Sequence, residues 1–120
     1  MLTMITAYSS LNLDHIKMGS SKDTPILTLS IAASLLNMHS RTLMLYEKED
    51  LIKTYRTSTN RRLFSQSDLN QIQFIKYLIN KEKVNMAGAK VIIRIIEKAQ
   101  AKYPNIRKEF FPEYAEKKLI

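Results

Sequence analysis

Basic and hydroxyl-bearing side chains are concentrated in one stretch of the sequence, residues 39–62. An arginine guanidinium can donate two hydrogen bonds to one guanine edge or one phosphate, and hydroxyl groups commonly bind phosphate oxygens. Residues of these types could form a nucleic-acid-binding surface, although an ordinary solvated basic surface is the alternative. The candidate binding residues are Ser40, Arg41, Thr42, Tyr46, Arg56, Arg61 and Arg62, with His39 and Lys53 as additional candidates.

Two short helices are predicted to position the first part of this set. Apolar residues from Ile31 to Leu36 recur at helical spacing and predict a first helix, which a bend at residues 37–39 should end. Ser40 precedes a second run, Arg41 to Glu49, where its hydroxyl is expected to cap the helix by accepting from free backbone amides. Two short helices across a tight turn predict a helix-turn-helix, whose second helix usually enters the DNA major groove.

A two-stranded flap is predicted after the second helix. Leu51 to Arg56 and Arg61 to Phe64 favour extended structure, and the polar residues 57–60 between them favour a turn. Asn60 is the turn residue best able to accept a left-handed conformation. The flap would carry Arg56, Arg61 and Arg62, so it is expected to be a basic wing beside the recognition helix.

Two longer helices are predicted after the wing. Ser65 and Asp68 have the spacing of an N-terminal capping box before an amphipathic helix. Asn85 is expected to cap another helix that runs from about Met86 to Lys102. Gly88 within that helix suggests close backbone packing against the preceding helix, because glycine otherwise weakens a helix by about 1 kcal/mol relative to alanine.

Composition places the chain among small soluble domains. Its 120 residues, 45% of them hydrophobic, suffice for one domain with a modest core. The absence of cysteine excludes disulfides, thiolate metal sites and thiol redox sensing. No apolar run approaches the roughly 20 residues that span a bilayer, so a cytoplasmic protein with no membrane partner is expected.

The positive charge is unevenly distributed. The formal net charge is +8, but residues 1–39 and 65–80 are each neutral, while residues 40–64 and 81–100 each carry +3. The excess therefore begins at the predicted recognition helix and continues through the wing, as expected for a surface that meets phosphates. The acidic side chains of Glu47, Glu49 and Asp50 look like ordinary surface charge at a helix end.

Three segments in the right order and spacing resemble the MerR family of winged helix-turn-helix transcription regulators. Within that family, MHSRTLMLYE and VNMAGAK are more similar to the HspR and GlnR/TnrA types than to the metal sensors. The segments are ILTLSIAASLLNMHSRTLMLYEKEDLI, TNRRLFSQSDLNQIQFIKYLI and VNMAGAKVII.

The resemblance implies a mainly α fold with about four helices and a two-stranded β wing. The family commonly adds a long C-terminal coiled coil for dimerisation, and the sequence predicts no such coiled coil here. The resemblance divides the chain into an N-terminal extension (residues 1–24, a frayed tail or a short dimerisation helix), a DNA-binding domain (25–102) and a C-terminal tail (103–120). The chain departs from the family pattern at Met44 and Leu45, where an arginine and an aromatic or polar residue are usual. It departs again at Asp50, where glycine is usual, so slight strain is expected at the entry to the wing.

The implied function is sequence-specific binding of double-stranded DNA to regulate transcription, more plausibly by repression at a promoter than by the twisting of operator DNA. Arg41 and Thr42 would reach base edges, while Tyr46 and the wing arginines would hold phosphates. No catalytic residue, metal site or cofactor is expected. A homodimer formed through the N-terminal extension or the aromatic C-terminal tail, and a regulatory protein partner, are further expectations.

Two other functions stay open at this point. The first is a protein-interaction module that kept the fold and lost base readout, with Met44 and Leu45 as a contact patch. The second is an excisionase-like architectural protein that bends DNA. Strong salt dependence would favour DNA binding over a contact made by apolar side chains.

Overall fold

The computed structural model describes residues 22–120, so the proposed role of the N-terminal extension lies almost wholly outside the described residues. The described chain forms five α-helices and a small antiparallel sheet of three strands. In chain order the elements are β1 (Leu27–Thr28), α1 (Leu29–Leu36), α2 (Ser40–Lys48), β2 (Tyr55–Arg56), β3 (Arg62–Phe64), α3 (Gln66–Asn80), α4 (Met86–Ala99) and α5 (Ile106–Phe110). The predicted mainly α fold with a β wing is confirmed.

Helices α1 and α2 form the predicted helix-turn-helix. The Thr28 hydroxyl caps α1 by accepting from the amide of Ile31 at 3.3 Å. Asn37 ends α1 in the left-handed region with φ 54°, a conformation that asparagine tolerates better than most residues. Its backbone amide donates to Ala33 and Ser34, which closes the last turn of the helix and directs the chain into α2.

Helix α2 begins one residue earlier than the predicted cap implies. Ser40 is the first helical residue, and His39 occupies the N-cap position without a side-chain capping bond. The His39 carbonyl accepts from the amides of Thr42 and Leu43, at 3.0 and 3.3 Å. The prediction that the Ser40 hydroxyl caps α2 is therefore wrong, because that residue is already inside the first turn.

The wing strands pair in a sheet with the order β1-β3-β2. In the central strand, Leu63 lies opposite Thr28 on one side and opposite Tyr55 on the other. The extended lead-in to α1 thus adds a third strand and ties the base of the wing to the helix-turn-helix. The strand predicted from Leu51 to Arg56 is limited to its last two residues, because Leu51 and Ile52 are buried in the core instead.

The two longer helices have the predicted caps. The Ser65 hydroxyl accepts from the Asp68 amide at 3.0 Å, and the Asp68 carboxylate accepts from the Ser65 amide at 2.9 Å. The Asn85 side chain accepts from the Gly88 amide at 2.8 Å. A Cβ on Gly88 would lie 3.3 Å from Asn85 Oδ1 and 3.5 Å from Val84 Cβ, so the close approach is to the cap of its own helix rather than to α3.

The core lies where α1, α2, α3, α4 and the wing meet. Its largest fully buried side chains come from α2, β3 and α3: Leu43, Phe64, Leu69, Ile72, Phe74, Ile75 and Leu78. Three apolar residues of these helices lie outside the core. Ile31 of α1 and Val91 and Ile95 of α4 are exposed, since the apolar residues of each helix cover a wider arc than its neighbours can bury.

The chain after α4 folds back onto α3. Phe111 and Tyr114 meet the ring of Phe74 edge-on, with centroids 5.4 and 5.2 Å away. The guanidinium of Arg107 lies over the ring of Phe74, 4.3 Å from its centroid. These tail residues therefore cover the core of their own subunit, while Tyr103 and Phe110 point to solvent with 58% and 70% of their surface exposed.

Candidate nucleic-acid interface

The outer face of α2 is built by residues spaced three, four and seven positions apart. Arg41, Met44, Leu45 and Lys48 share this face because the helix repeats every 3.6 residues. Leu43 and Tyr46 point the opposite way and are buried. Leu43 anchors the helix in the core, which leaves the outer face free to meet a ligand.

This face and the wing together form a shallow concave surface, which encloses a volume of about 490 Å³. It is lined by Arg41, Met44, Leu45, Glu47, Lys48, Arg56 and Arg62, which bring four positive charges and one negative charge together. Lys48 was not among the sequence-predicted residues, although its seven-residue separation from Arg41 could have placed it on the same helix face. Three of the predicted arginines line this surface, Arg41 from α2 and Arg56 and Arg62 from the wing.

Glu47 joins the recognition helix to the wing. Its Oε1 atom accepts from Arg56 Nη2 at 2.9 Å and from Arg62 Nε at 2.7 Å. Its other carboxylate oxygen accepts from the Thr54 hydroxyl in the segment that leads into β2. One side chain of α2 thereby binds both strands of the wing and the approach to it.

The two arginines need this carboxylate because they lie directly opposite each other across β2 and β3. Like charges at such a cross-strand position are destabilising. Partial burial raises the pKa of Glu47, but the hydrogen bonds from Thr54 and the two arginines outweigh that effect, so the pKa lies below its ordinary value. The carboxylate is therefore ionised at neutral pH and offsets the repulsion between the arginines.

The wing turn is held by its own polar groups. The amide of Arg61 donates to the Thr57 hydroxyl at 3.0 Å, and the Thr57 amide donates to the Arg61 carbonyl at 2.9 Å. Asn60 takes the predicted left-handed conformation, with φ 65°. Arg56 Nη1 donates to the backbone oxygen of Asn60 at 3.2 Å. This hydrogen bond joins the tip of the wing to the Arg56–Arg62 pair at its base. Arg61 itself is exposed at this tip.

The remaining predicted residues, apart from Tyr46, fall into two groups. His39 is exposed and Ser40 and Thr42 are half-buried at the start of α2, next to the concave surface. Lys53 is exposed but lines a different cleft, between the wing entry and α4, together with Lys90 and Arg94.

Tyr46 is the predicted site residue that the structure buries. Its side chain is 4% exposed and packs in the core, and burial raises the pKa of its hydroxyl. The ring is therefore part of the core, and the phosphate contact of Tyr46 stays a prediction. Helical spacing alone did not show this, because Tyr46 could have belonged to either face.

A helix-turn-helix with a basic two-stranded wing beside its second helix defines a winged helix-turn-helix DNA-binding protein. Comparison with known proteins agrees with that class. Residues 27–95 match the MerR HTH family regulatory protein family. The chain therefore belongs to the MerR family of HTH regulatory proteins.

Individual relatives support the same family. A segment of 75 residues is 33% identical to heat shock protein HspR of Streptomyces coelicolor and covers 62% of this chain and 50% of that protein. A segment of 76 residues is 33% identical to the HTH-type transcriptional regulator GlnR of Bacillus cereus and covers 63% of this chain and 58% of that protein. The GlnR of Bacillus anthracis gives the same values. The chain thus spans about half to three fifths of the length of these relatives.

Residues 22–120 also bear on metal binding and on membrane insertion. This part of the chain contains no group of three or more histidine, aspartate or glutamate side chains that could hold a metal ion. It also contains no helix that is both long and apolar enough to cross a membrane.

Proposed function

We propose that this regulator is a cytoplasmic repressor that occupies promoter DNA, with residues 25–102 as its DNA-binding unit. In the proposal, α2 enters the major groove and the wing lies against the backbone of the same duplex. The observation that carries it is the convergence of Arg41, Lys48, Arg56 and Arg62 on one concave surface between α2 and the wing. Such a surface suits a polyanion that extends past both elements.

The predicted contacts other than the buried Tyr46 each have a proposed place in this arrangement. Arg41 and Thr42, in the first turn of α2, are proposed to reach base edges, where a bidentate arginine–guanine contact discriminates by about 1–3 kcal/mol. Ser40 and His39 lie just before them and are proposed to contact the adjacent phosphate. These contacts follow from the usual docking of a recognition helix by its N-terminal residues.

The wing is proposed to contact phosphates. Arg61 extends from the exposed tip, while Arg56 and Arg62 line the concave surface from its wing side. Lys48 is proposed as a further phosphate contact from the last turn of α2. Such contacts fix the position of the protein on the duplex without reading its sequence. Lys53 is left as a weaker candidate, because it lines the cleft next to α4 instead.

Repression is the form of regulation that the fold supports best. Within the described residues, α4 is followed by the five-residue α5 and by a segment that packs on α3. This arrangement offers no long helix there that could clamp two DNA-binding domains and twist the DNA between them. Occupation of a promoter needs only that the protein compete with other proteins for the same DNA.

We also propose that two copies pair on the DNA. The support is the exposure of Tyr103 and Phe110 in the tail, since exposed aromatic side chains often mark protein contacts. Sedimentation of the full chain, with Phe110→Ser as the test variant, should show a shift toward the monomer mass in the variant. An unchanged mass would remove the tail from the proposal.

The decisive experiment selects bound fragments from a genomic DNA library and then titrates one recovered duplex with salt. Affinity should fall by orders of magnitude between low and moderate salt, because each neutralised phosphate releases a counterion. Arg41→Gln should weaken binding to that duplex by about tenfold or more. Arg94→Gln is the matched control, because it removes the same charge from an exposed position on α4.

The same titration separates DNA binding from the alternative of a protein-interaction module. Leu45, 37% exposed beside Met44, is the feature that favours that alternative. Recovery of no preferred fragment, or binding that is equally weakened by Arg41→Gln and Arg94→Gln, would contradict the proposed interface. A bend angle measured by energy transfer across the bound duplex would identify an architectural role.

A further inference from the structure

Glu47 is the one acidic residue among the described side chains that line the concave surface between α2 and the wing. It lies inside a surface that otherwise carries positive charge, where a carboxylate opposes the approach of phosphates. A residue with that cost to DNA binding needs a compensating role. Its three hydrogen bonds to Thr54, Arg56 and Arg62 indicate what that role is.

The outer strand of the wing has few other means of holding its position. Strand β3 pairs with β1 and buries Leu63 and Phe64, but β2 is joined to β3 by a ladder of only two residue pairs. The two arginines that face each other across that ladder would separate if their charges were not balanced. The carboxylate of Glu47 lies between them and belongs to the recognition helix, so it sets where the wing stands relative to α2.

The contacts also limit what the arginines can do. Arg56 is held at both terminal nitrogens, by Glu47 and by Asn60, and Arg62 is held at Nε. Side chains held in this way can reach phosphates only where the duplex lies against α2 and the wing together. A freed arginine could instead reach the phosphates of any duplex that came near.

We infer that Glu47 is a positioning residue that sets DNA selectivity, because it holds Arg56 and Arg62 in place and keeps them from binding phosphates indiscriminately. The inference rests on the proposed interface and adds to it a residue that makes no favourable contact with DNA. Its removal should strengthen binding to arbitrary sequence and weaken the preference for the recovered duplex.

The test compares Glu47→Gln with Glu49→Gln, which removes the same charge two residues away. Glu49 is exposed and makes no ion pair with any residue in the described part of the chain. Each variant is titrated with salt on a mixed-sequence duplex and on the duplex recovered by selection. Glu47→Gln should steepen the logarithmic salt slope on mixed sequence by about 1 to 2, one step of roughly 0.9 for each phosphate newly contacted.

The ratio of specific to non-specific affinity should fall by about tenfold in Glu47→Gln, the effect of losing one charge-assisted contact in the productive geometry. Glu49→Gln should raise affinity for both duplexes alike and leave the ratio unchanged. A second variant, Glu47→Asp, keeps the charge but is one methylene too short to hold both arginines. It should change the ratio in the same direction, by a smaller factor.

The outcomes are distinguishable. If wild-type protein binds the recovered duplex but Glu47→Gln behaves like Glu49→Gln and Glu47→Asp behaves like wild type, the positioning role is wrong and the proposed function stands. If wild-type protein shows no salt-dependent binding to any duplex, the proposed function fails and the inference fails with it. Far-ultraviolet circular dichroism of each variant confirms folding, and Glu47→Asp carries the test where Glu47→Gln is unfolded.

Discussion

Gln73 of α3 holds the backbone of Lys117, 44 residues later in the chain, at both of its polar groups. The side-chain nitrogen donates to the Lys117 carbonyl at 2.8 Å, and the side-chain oxygen accepts from the Lys117 amide at 2.9 Å. The side-chain amide of Gln73 thus pairs with the Lys117 backbone through one donor and one acceptor, as a neighbouring β-strand would. This pairing, with the rings of Phe111 and Tyr114 on Phe74, fixes the tail on α3.

Gln73→Ala should release the end of the tail. Loss of the pairing leaves the Lys117 amide without its acceptor, and a net hydrogen bond contributes about 1 kcal/mol. Hydrogen exchange should show the Lys117 amide losing protection while amides in α3 keep theirs. Gln71→Ala, in the same helix, is the control and should leave the Lys117 amide protected. Equal exchange in both variants would mean that the rings alone hold the tail.

Tyr114→Phe is expected to stabilise the protein. The Tyr114 hydroxyl is buried and has no hydrogen-bond partner among the described residues, and burial raises its pKa to about 12. Removal of an unpaired buried hydroxyl avoids its desolvation cost, so the free energy of unfolding should rise by about 1 kcal/mol.

Tyr77→Phe provides the contrast in the same aromatic cluster. The Tyr77 hydroxyl donates to the Glu82 carboxylate at 2.7 Å, and this hydrogen bond raises the pKa of Tyr77 to about 12. Its loss should lower stability slightly or leave it unchanged. Chemical denaturation of the two variants measures both effects, and a clear loss of stability in Tyr114→Phe would show that its hydroxyl is bonded after all.

The backbone at Asp50 is expected to favour glycine. Asp50 follows α2 with φ 60°, the left-handed conformation predicted from the family pattern. Asp50→Gly and Asp50→Ala both remove the long, exposed pair with Lys90, at 3.9 Å, so that contact cancels in the comparison. The glycine variant should be more stable than the alanine variant by about 1 kcal/mol, because alanine pays the steric cost of a left-handed backbone. Thermal or urea unfolding decides the order, and equal stability would argue against strain here.

The contribution of Glu47 to stability should depend on pH. Its folded-state pKa lies below the ordinary value of 4.5, so the unfolded chain takes up a proton first as the pH falls. The stabilisation is therefore fully present above about pH 5 and is lost as the pH falls through the folded-state pKa. The difference in unfolding free energy between wild type and Glu47→Gln should shrink over that range.

Glu49→Gln again serves as the control for this pH dependence. Glu49 is exposed at the end of α2 and makes no ion pair within residues 22–120, so Glu49→Gln removes a carboxylate that does not hold the wing. A wild-type to Glu47→Gln difference that stayed constant with pH would contradict a role for the ionised carboxylate in holding the wing.

Much of the fold can be predicted from short stretches of the sequence. Ser65 and Asp68 are three residues apart, and their capping box depends on little beyond that spacing. The left-handed positions at Asp50 and Asn60 follow from which side chains tolerate such a backbone. Periodicity likewise indicated the helices, since one buried face is enough to produce it. The family resemblance and the basic wing were likewise predicted from short sequence segments.

Only the tertiary structure decided which residues form the interface. Tyr46 and Leu45 are neighbours in an apolar run, and periodicity could not say which of them faces the core. Glu47 looked like surface charge because its partners, Arg56 and Arg62, lie nine and 15 residues away on another element. Contacts of that kind depend on how a helix and a hairpin dock. Docking is set by the whole core at once, and no local pattern in the chain records it.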